Sequence, residues 1–595
     1  MKKALSLLLC LALLCAPLPA RAAGGAPSWA SDAYADLQSH GLLPAQAQTA
    51  GEITRGSFAG LLADAVQAVL PAEALAEHPP VDAGYFADGV SDPSLLAAAA
   101  YGILEGTLSG GARYADADSP LTREQAAKMV CSALDFSGSL GYQASPAGQA
   151  AQYTDAGSIS SWAAPYTGQV AAYSIMVGDQ AGNFNPAASL DWPSAVVILS
   201  RTLGLLEQAA SGLSVLPLDS ALDWSGADSF GRGDRSVSRP LTGYVKGYYI
   251  IDNGDGTVSG LSAPISGQAG GQFSVERYDA QGAVTSTKTL PMELPILGTV
   301  FSGAEYNYVA FGQMNSSGSD SQEVWRIVQY DKDWNRLGAV SLTGGDTYTT
   351  EPFRSAVPRM AESADGQTVT LYAARTRYDG HQSNITFVMN TQPFSLRTCM
   401  GEEFPSNHVS HSFGQFIQYD GSQMVTVDHG DAYPRSFVLQ AGGSSIDLLD
   451  IYGETGDNVT NAIGSGFEVS DSGYLFLGCS DPQQGGGTEP WNVFLAYTGR
   501  DSRSPQLTWL TDSSATINCA RLVKVDGDTF VALWGQDDGV HLQVLDGQGD
   551  RVGAEQSLPG LTMPPTQPVV QDGSIRWIQL DGQTGSPCLY TLTIA

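Results

Sequence analysis

A chain of 595 residues is too long for a single hydrophobic core, so two or more domains are expected; 43% hydrophobic residues is ordinary for folded protein, and 68 Gly with 31 Pro point to many turns. The balance of 29 basic against 61 acidic residues gives a net charge of −32, a surface that repels nucleic acid and anionic lipid and excludes both as general partners. An anionic polymer can be held only by a few local cations working against that field.

Residues 1–22 have the form of a secretory signal peptide, with a basic Lys2-Lys3 start, an apolar run from Leu5 to Leu14 and the small-x-small end Ala20-Arg21-Ala22. The run is too short to span a bilayer as a mature helix, and no later stretch reaches the ~20 apolar residues a crossing needs, so no membrane insertion is expected. Leu13-Leu14 ahead of Cys15 are bulkier than lipidated sites usually allow. Removal of the leader leaves 26 basic and 61 acidic residues, a net of −35. Five cysteines then remain, Cys131, Cys399, Cys479, Cys519 and Cys588. Their wide spacing and odd number fit neither a disulfide framework nor a metal knuckle, and leave open one pair such as Cys479 with Cys519.

From Trp29 to about Leu206 one supersecondary unit recurs three times at a period just under 70 residues. Thr54-Arg55, Thr122-Arg123 and Asp191-Trp192 each open a helical pattern and lie 68 and 69 residues apart; Asp88 and Asp155 are 67 apart; Trp29, Leu95 and Trp162 form a third series. In the first copy Phe58, Leu61, Leu62, Ala65, Val66 and Val69 make one apolar helix face behind an N-cap at Thr54. The second has Thr122 and Gln125 at capping-box spacing, and the third has Asp191 as cap with Pro193 in the first turn. An earlier helix precedes each, over Trp29 to Ser39, Pro93 to Leu104 and Trp162 to Ile175.

These features resemble the S-layer homology (SLH) module. The pattern is carried by Phe86-Ala87-Asp88; Trp29-Ala30 and Trp162-Ala163; Gly102-Ile103-Leu104-Glu105-Gly106; Phe184-Asn185-Pro186; and Ile53-Thr54-Arg55 with Leu121-Thr122-Arg123. The match spans about 180 residues. The resemblance implies an all-α three-prong spindle that docks on an anionic, pyruvylated secondary cell-wall polysaccharide through grooves between prongs. Such a carboxylate suits a forked guanidinium beside the positive end of a helix dipole. The candidate binding residues are therefore Arg55 and Arg123 as carboxylate receivers at the caps Thr54 and Thr122, Trp29 and Trp162 as ring platforms, and Asp88 and Asp155 as hydroxyl acceptors or loop organisers. Arg55 and Arg123 also read as plain surface charge, Trp29 and Trp162 as core residues closing each prong, and the two aspartates as turn caps. The first copy lacks the aspartate, the second has Leu95 in place of Trp, and the third replaces Thr-Arg with Asp191-Trp192, so at most two grooves look competent.

Residues 27–75, 83–140 and 150–206 thus read as three repeats, and 207–236, rich in Ser, Gly and Asp, as a linker. Residues 237–595 lose the helical period and gain short β-branched and aromatic runs between turns, such as Thr368 to Tyr372 and Phe530 to Trp534. Turns at Asp255-Gly256, Gly303-Ala304, Asp365-Gly366, Asp420-Gly421, Ser472-Gly473, Asp526-Gly527 and Asp572-Gly573 recur at steps of about 46 to 62. A second series, from Tyr278-Asp279 and Tyr330-Asp331 to Thr593-Ile594, closes each unit at steps of 52, 59, 50, 58, 48 and 48. Seven units with room for four strands each predict a seven-bladed β-propeller, with a β-sandwich pair or β-helix as the competing folds. The last unit stops where the others turn into their outermost strand, and residues near Ser236 to Val245 are the candidate for the strand that closes the ring.

Fold alone decides nothing about the propeller's activity. His408-Val409-Ser410-His411 with His429 is a weak metal pattern, Ser363 to Thr368 is a single near miss of the sialidase turn, and no nucleophile elbow or phosphate loop occurs. No cofactor or metal is implied. Three functions remain: an exported display protein, anchored to wall polysaccharide, whose propeller binds a glycan or protein; an anchored glycan-cleaving hydrolase; or a component of a surface lattice. Two convergent carboxylates in the central opening favour the second, an open aromatic rim the first, and a large flat apolar patch the third.

Overall fold

The computed structural model describes residues 27–48, 51–70, 72–137, 153–224, 247–263, 270–354, 358–400, 411–457, 459–482, 490–517, 519–564, 566–582 and 584–594. The leader and the segment Ser236 to Val245 lie outside these residues. The chain forms two compact units, one running to Glu207 and one from Gln208 onward.

In the first unit a 3₁₀ turn at Ser28–Ala30 leads into α1 (Ser31–Ser39), followed by α2 (Arg55–Val69), the short α3 (Ala72–Ala76), α4 (Pro93–Ala100), a hairpin of β1 (Thr107–Ser109) and β2 (Ala112–Tyr114), α5 (Arg123–Phe136), α6 (Ala164–Ala172) and α7 (Trp192–Ala210). The hairpin makes this unit mixed where an all-α spindle was expected. The first helix of each repeat is also shorter than its spacing implied: α4 stops before Gly102, whose φ of +72° only glycine adopts freely, and α6 stops before Ser174 at φ +52°.

The three long helices start around a common centre. Ile53 N–H donates to Leu190 O (2.9 Å), Leu190 N–H to Leu121 O (2.8 Å) and Leu121 N–H to Ile53 O (3.4 Å), a closed triangle of backbone bonds among three buried residues one repeat apart. Each long helix also meets the short helix of the next repeat, so the unit closes on itself. α2 packs on α4, α5 on α6, and α1 reaches α7 through Ser200 Oγ to Asp36 (2.5 Å) and His40 Nε2 to Glu207 (2.9 Å). The buried faces are the periodic apolar ones: Phe58, Leu62, Ala65 and Val66 in α2, and Ala126, Met129, Val130 and Ala133 in α5.

The second unit is a seven-bladed β-propeller. Seven antiparallel sheets follow one another, and their innermost strands (Gly247–Asp252, Ile296–Ser302, Thr349–Pro352 with Arg359–Glu362, Ser412–Asp420, Ala462–Val469, Ala520–Asp526 and Val569–Gln571) touch in sequence around a ring. The third innermost strand is broken in two, both pieces pairing with Thr368–Arg377. Asp279, Asp331 and Asp546 end third strands, not whole blades: each carboxylate takes two N–H bonds from the turn into the outermost strand, as Asp279 does from Gln281 and Ala283 at 2.9 Å.

The ring is closed by a strand from earlier in the chain than expected. β3 (Leu213–Pro217) pairs with Pro587–Thr593 as the outer strand of the last blade, from Leu213 opposite Leu592 to Pro217 opposite Cys588. The described part of the stretch read as a linker, from Leu213 to Trp224, therefore belongs to the propeller. Leu218 and Trp224 continue into its core, with the Trp224 indole stacked 5.7 Å from the Tyr248 ring. A composition rich in Ser and Gly masked five residues with clean strand pairing, because a single β3-length strand leaves no periodic trace.

Candidate functional site

A groove of 400 Å³ opens in the first unit, and it gathers residues from all three repeats. Arg55 comes from the first turn of α2; Ile103, Glu105, Gly106, Thr107 and Leu108 come from the second repeat's loop; Gln125, Lys128 and Met129 come from α5; Trp162 comes from the third repeat. Two of the sequence-derived candidates, Arg55 and Trp162, thus line one wall-to-wall space. Trp162 keeps 46% of its surface exposed, so it is no core residue. Its turn is fixed by Glu124, which accepts from Ser160 N (3.1 Å) and Ser160 Oγ (2.9 Å).

Arg55 is half-buried, and its Nε is enclosed without an acceptor among the described residues. Burial lowers its pKa, while Asp116 and Glu105 act in the other direction from a distance. Lys128 reaches Glu105 at 2.6 Å, so the groove holds two cations against one carboxylate that is already paired. An acidic group entering from solvent would find an underused guanidinium, a nearby ammonium and an indole face.

Arg123 holds the equivalent position one repeat on but is differently employed. Its Nε donates to Phe184 O at 2.7 Å, an Nη to Val177 O at 3.1 Å, and its guanidinium lies 5.1 Å from the centre of the Phe184 ring. The second repeat has Ala115 where the third has Phe184, so no such ring stands at that place beside Arg55, and its Nε, unlike that of Arg123, meets no acceptor among the described residues. The helix-dipole argument is also corrected. The first N–H groups of α2 are taken by Ser119 O (2.9 Å) and Ala117 O (2.8 Å), and those of α5 by Ala188 O and Pro186 O (both 3.0 Å). Backbone donors are spent on the neighbouring repeat, and the side chains alone face the groove.

The remaining candidates sit outside the groove. Thr54 and Thr122 cap their helices, accepting from Ser57 N (3.1 Å) and Gln125 N (3.4 Å). Asp88 receives Ala115 N (3.1 Å) and Asp116 N (3.0 Å), and Asp155 receives Phe184 N and Asn185 N (both 2.7 Å). Both carboxylates are used as loop organisers, each pinning a residue of positive φ, Asp116 at +53° and Asn185 at +57°. Trp29 is 62% exposed ahead of α1, not buried as a prong closer. Trp192, in the place of an arginine, is buried. Sequence reasoning missed Glu105, Gln125 and Lys128. For Gln125 and Lys128 the signal was their three-residue spacing, which places one polar edge beside the apolar stripe of α5; Glu105 had none.

In the propeller, the histidines do not converge. His429 is buried on a blade with its pKa pushed down to about 3, by burial first and Arg435 second, while His411 Nδ1 bonds Asp431 at 3.0 Å; His408 lies outside the described residues. No metal cluster occurs among the described residues. No disulfide joins Cys131, Cys399, Cys479, Cys519 or Cys588 among the described residues. On the innermost strands, burial raises the Glu468 carboxyl to about 8, against the pull of Lys524 and Arg359.

These two shifts predict the pH profile of stability. Unfolded Glu468 loses its proton near 4.5 and the folded group holds it to about 8, so the folded state binds more protons in that window and loses stability as pH rises. His429 protonates near 6.5 when unfolded and near 3 when folded, so stability falls as pH drops through that window. Glu468→Gln is expected to raise Tm by about 3 °C or more near pH 8.5 and by little near pH 5, read by calorimetry. An equal change at both pH values would contradict the assignment.

No family model and no curated protein matches the chain. Among solved structures it is similar to the acylaminoacyl peptidase of Pyrococcus horikoshii at 10% identity and TM-score 0.33, covering 57% of this chain and 51% of that one. It is similar to a chain from a structural and mechanistic analysis of two prolyl endopeptidases at 11% identity and TM-score 0.33, covering 63% and 53%. The sialidase of Trypanosoma rangeli gives 8% identity and TM-score 0.30, covering 55% and 58%. The chain spans about half the length of these peptidases, and at such scores the likeness carries no argument about activity. The propeller stands on its own strand pairing.

Proposed function

We propose that the first unit is a set of three SLH modules that holds the protein non-covalently on an acidic secondary cell-wall polysaccharide, and that the exported chain displays its propeller at the cell surface. The observation that carries this reading is the groove lined by both Arg55, which lacks an acceptor at Nε among the described residues, and the half-exposed Trp162. A pyruvate ketal supplies a carboxylate and a sugar ring in one residue, which matches that pair. No helix among the described residues is long and apolar enough to cross a membrane.

The propeller's part is binding of a glycan or protein. Tyr433 (74% exposed) and Tyr452 (54%) stand on loops of the fourth blade, exposed aromatic surface of the kind ligand platforms use. The alternative, an anchored glycan-cleaving hydrolase, calls for two convergent carboxylates. Glu468 stands among cations instead.

Trp162→Ala is expected to weaken retention of the full chain on purified acidic wall polysaccharide about tenfold, ~1.4 kcal/mol, with Tm unchanged. Trp29→Ala, outside the Arg55 groove, should do less. Unaltered retention by Trp162→Ala would remove the ring platform from the account.

A further inference from the structure

We infer that the central channel of the propeller is a binding site for a small anion, a single carboxylate or phosphate group received by Arg359 and Arg521. Seven inner strands standing around one axis leave a channel between them. Arg359 stands on the innermost strand of the third blade, Glu468 on that of the fifth, and Arg521 and Lys524 on that of the sixth, near enough to act on one another electrostatically. A chain with 61 acidic residues against 29 basic ones thus gathers three cations at its propeller axis around one carboxylate.

Arg521 and Lys524 spend donors on neutral carbonyls, and Arg359 keeps one donor unmet. Arg359 Nε is enclosed and meets no acceptor among the described residues. Its guanidinium lies over the Phe416 ring at 4.4 Å, a neutral partner that supplies no counter-charge. Arg521 donates to Ala520 O at 2.7 Å and Lys524 to Val469 O at 2.9 Å, neutral carbonyls both. Arg521 is near enough to Arg359 to lower its pKa, after burial, to about 10. Glu468 accepts from Gln418 Nε2 at 3.2 Å and, with its carboxyl raised to about 8, is largely protonated near neutral pH. An enclosed cation without a counter-charge is costly, and a forked guanidinium is shaped for a carboxylate or phosphate oxygen pair. The site is independent of the Arg55 groove, and either can fail alone.

The test is calorimetric titration of the full chain with inorganic phosphate and, separately, with glucuronic acid, at matched ionic strength. One of the two is expected to bind saturably, and Arg359→Gln to weaken that binding at least tenfold, while Arg397→Gln, an exposed outer-strand cation, leaves it unchanged. Which ligand binds distinguishes phosphate from carboxylate. Thermal unfolding gives a second reading that does not depend on affinity. Without anion, Arg359→Gln should be at least as stable as the natural chain, and the binding anion should raise Tm of the natural chain but not of the variant. Absence of saturable binding by both anions, or equal stabilisation of chain and variant, would overturn the proposal.

Discussion

Arg55→Ala is expected to reduce retention of the full chain on acidic wall polysaccharide by a factor of about 10 to 150, with the first unit still folded. A charge-assisted bond to an enclosed guanidinium contributes about 1.5–3 kcal/mol, which sets that range. The side chain makes no hydrogen bond through its enclosed Nε among the described residues, so little of the fold depends on it. Arg123→Ala should behave in the opposite way. It removes donors from Phe184 O and Val177 O and the guanidinium over the Phe184 ring, leaving the part-buried Phe184 carbonyl unmet at about 1–3 kcal/mol. Thermal unfolding should show a lowered transition for Arg123→Ala, with retention lost only as far as folding is lost. Pull-down of both variants at a temperature below either transition separates the two roles. Equal loss of retention with equal stability would mean that both arginines receive the polymer.

The propeller is expected to need β3. A chain beginning at residue 208 should unfold cooperatively, whereas one beginning at residue 247 should melt more than about 10 °C lower or aggregate. The shorter version loses the outer strand of the seventh blade and the buried Leu213, Val215, Leu218 and Trp224. At ~1.5–3 kcal/mol for each large apolar side chain, this approaches the whole net stability of a typical domain. It also exposes the edge of Pro587–Thr593, which invites pairing with other chains. Gly212 shows how closely that edge is seated: at φ +79°, an added Cβ would lie 2.3 Å from Thr593 O. Matching melting temperatures for the two versions would show that the ring closes without β3.

The seven blades were legible because each repeats a turn, and a spacing repeated seven times survives weak conservation of any one motif. The closing strand was not legible, because it occurs once and lies among Ser- and Gly-rich residues. In the first unit, Thr54 and Thr122 announced two of the three long helices through cap chemistry that is local in sequence. The difference between Arg55 and Arg123 was out of reach for the same reason that it matters. It is set by whether Ala115 or Phe184 stands across from the guanidinium, a contact 61 residues away in the case of Arg123. Asp88 and Asp155 were recognisable as a pair, but only the three-dimensional turn shows that backbone N–H groups occupy their oxygens.

The most direct measurement is retention of the full chain on purified wall polysaccharide before and after its acidic groups are converted, by carboxyl reduction, to neutral alcohols. If the Arg55 groove receives a carboxylate, the native polymer holds the protein and the reduced polymer releases it, as Arg55→Ala does on the native one. Undiminished retention on the reduced polymer would contradict the account.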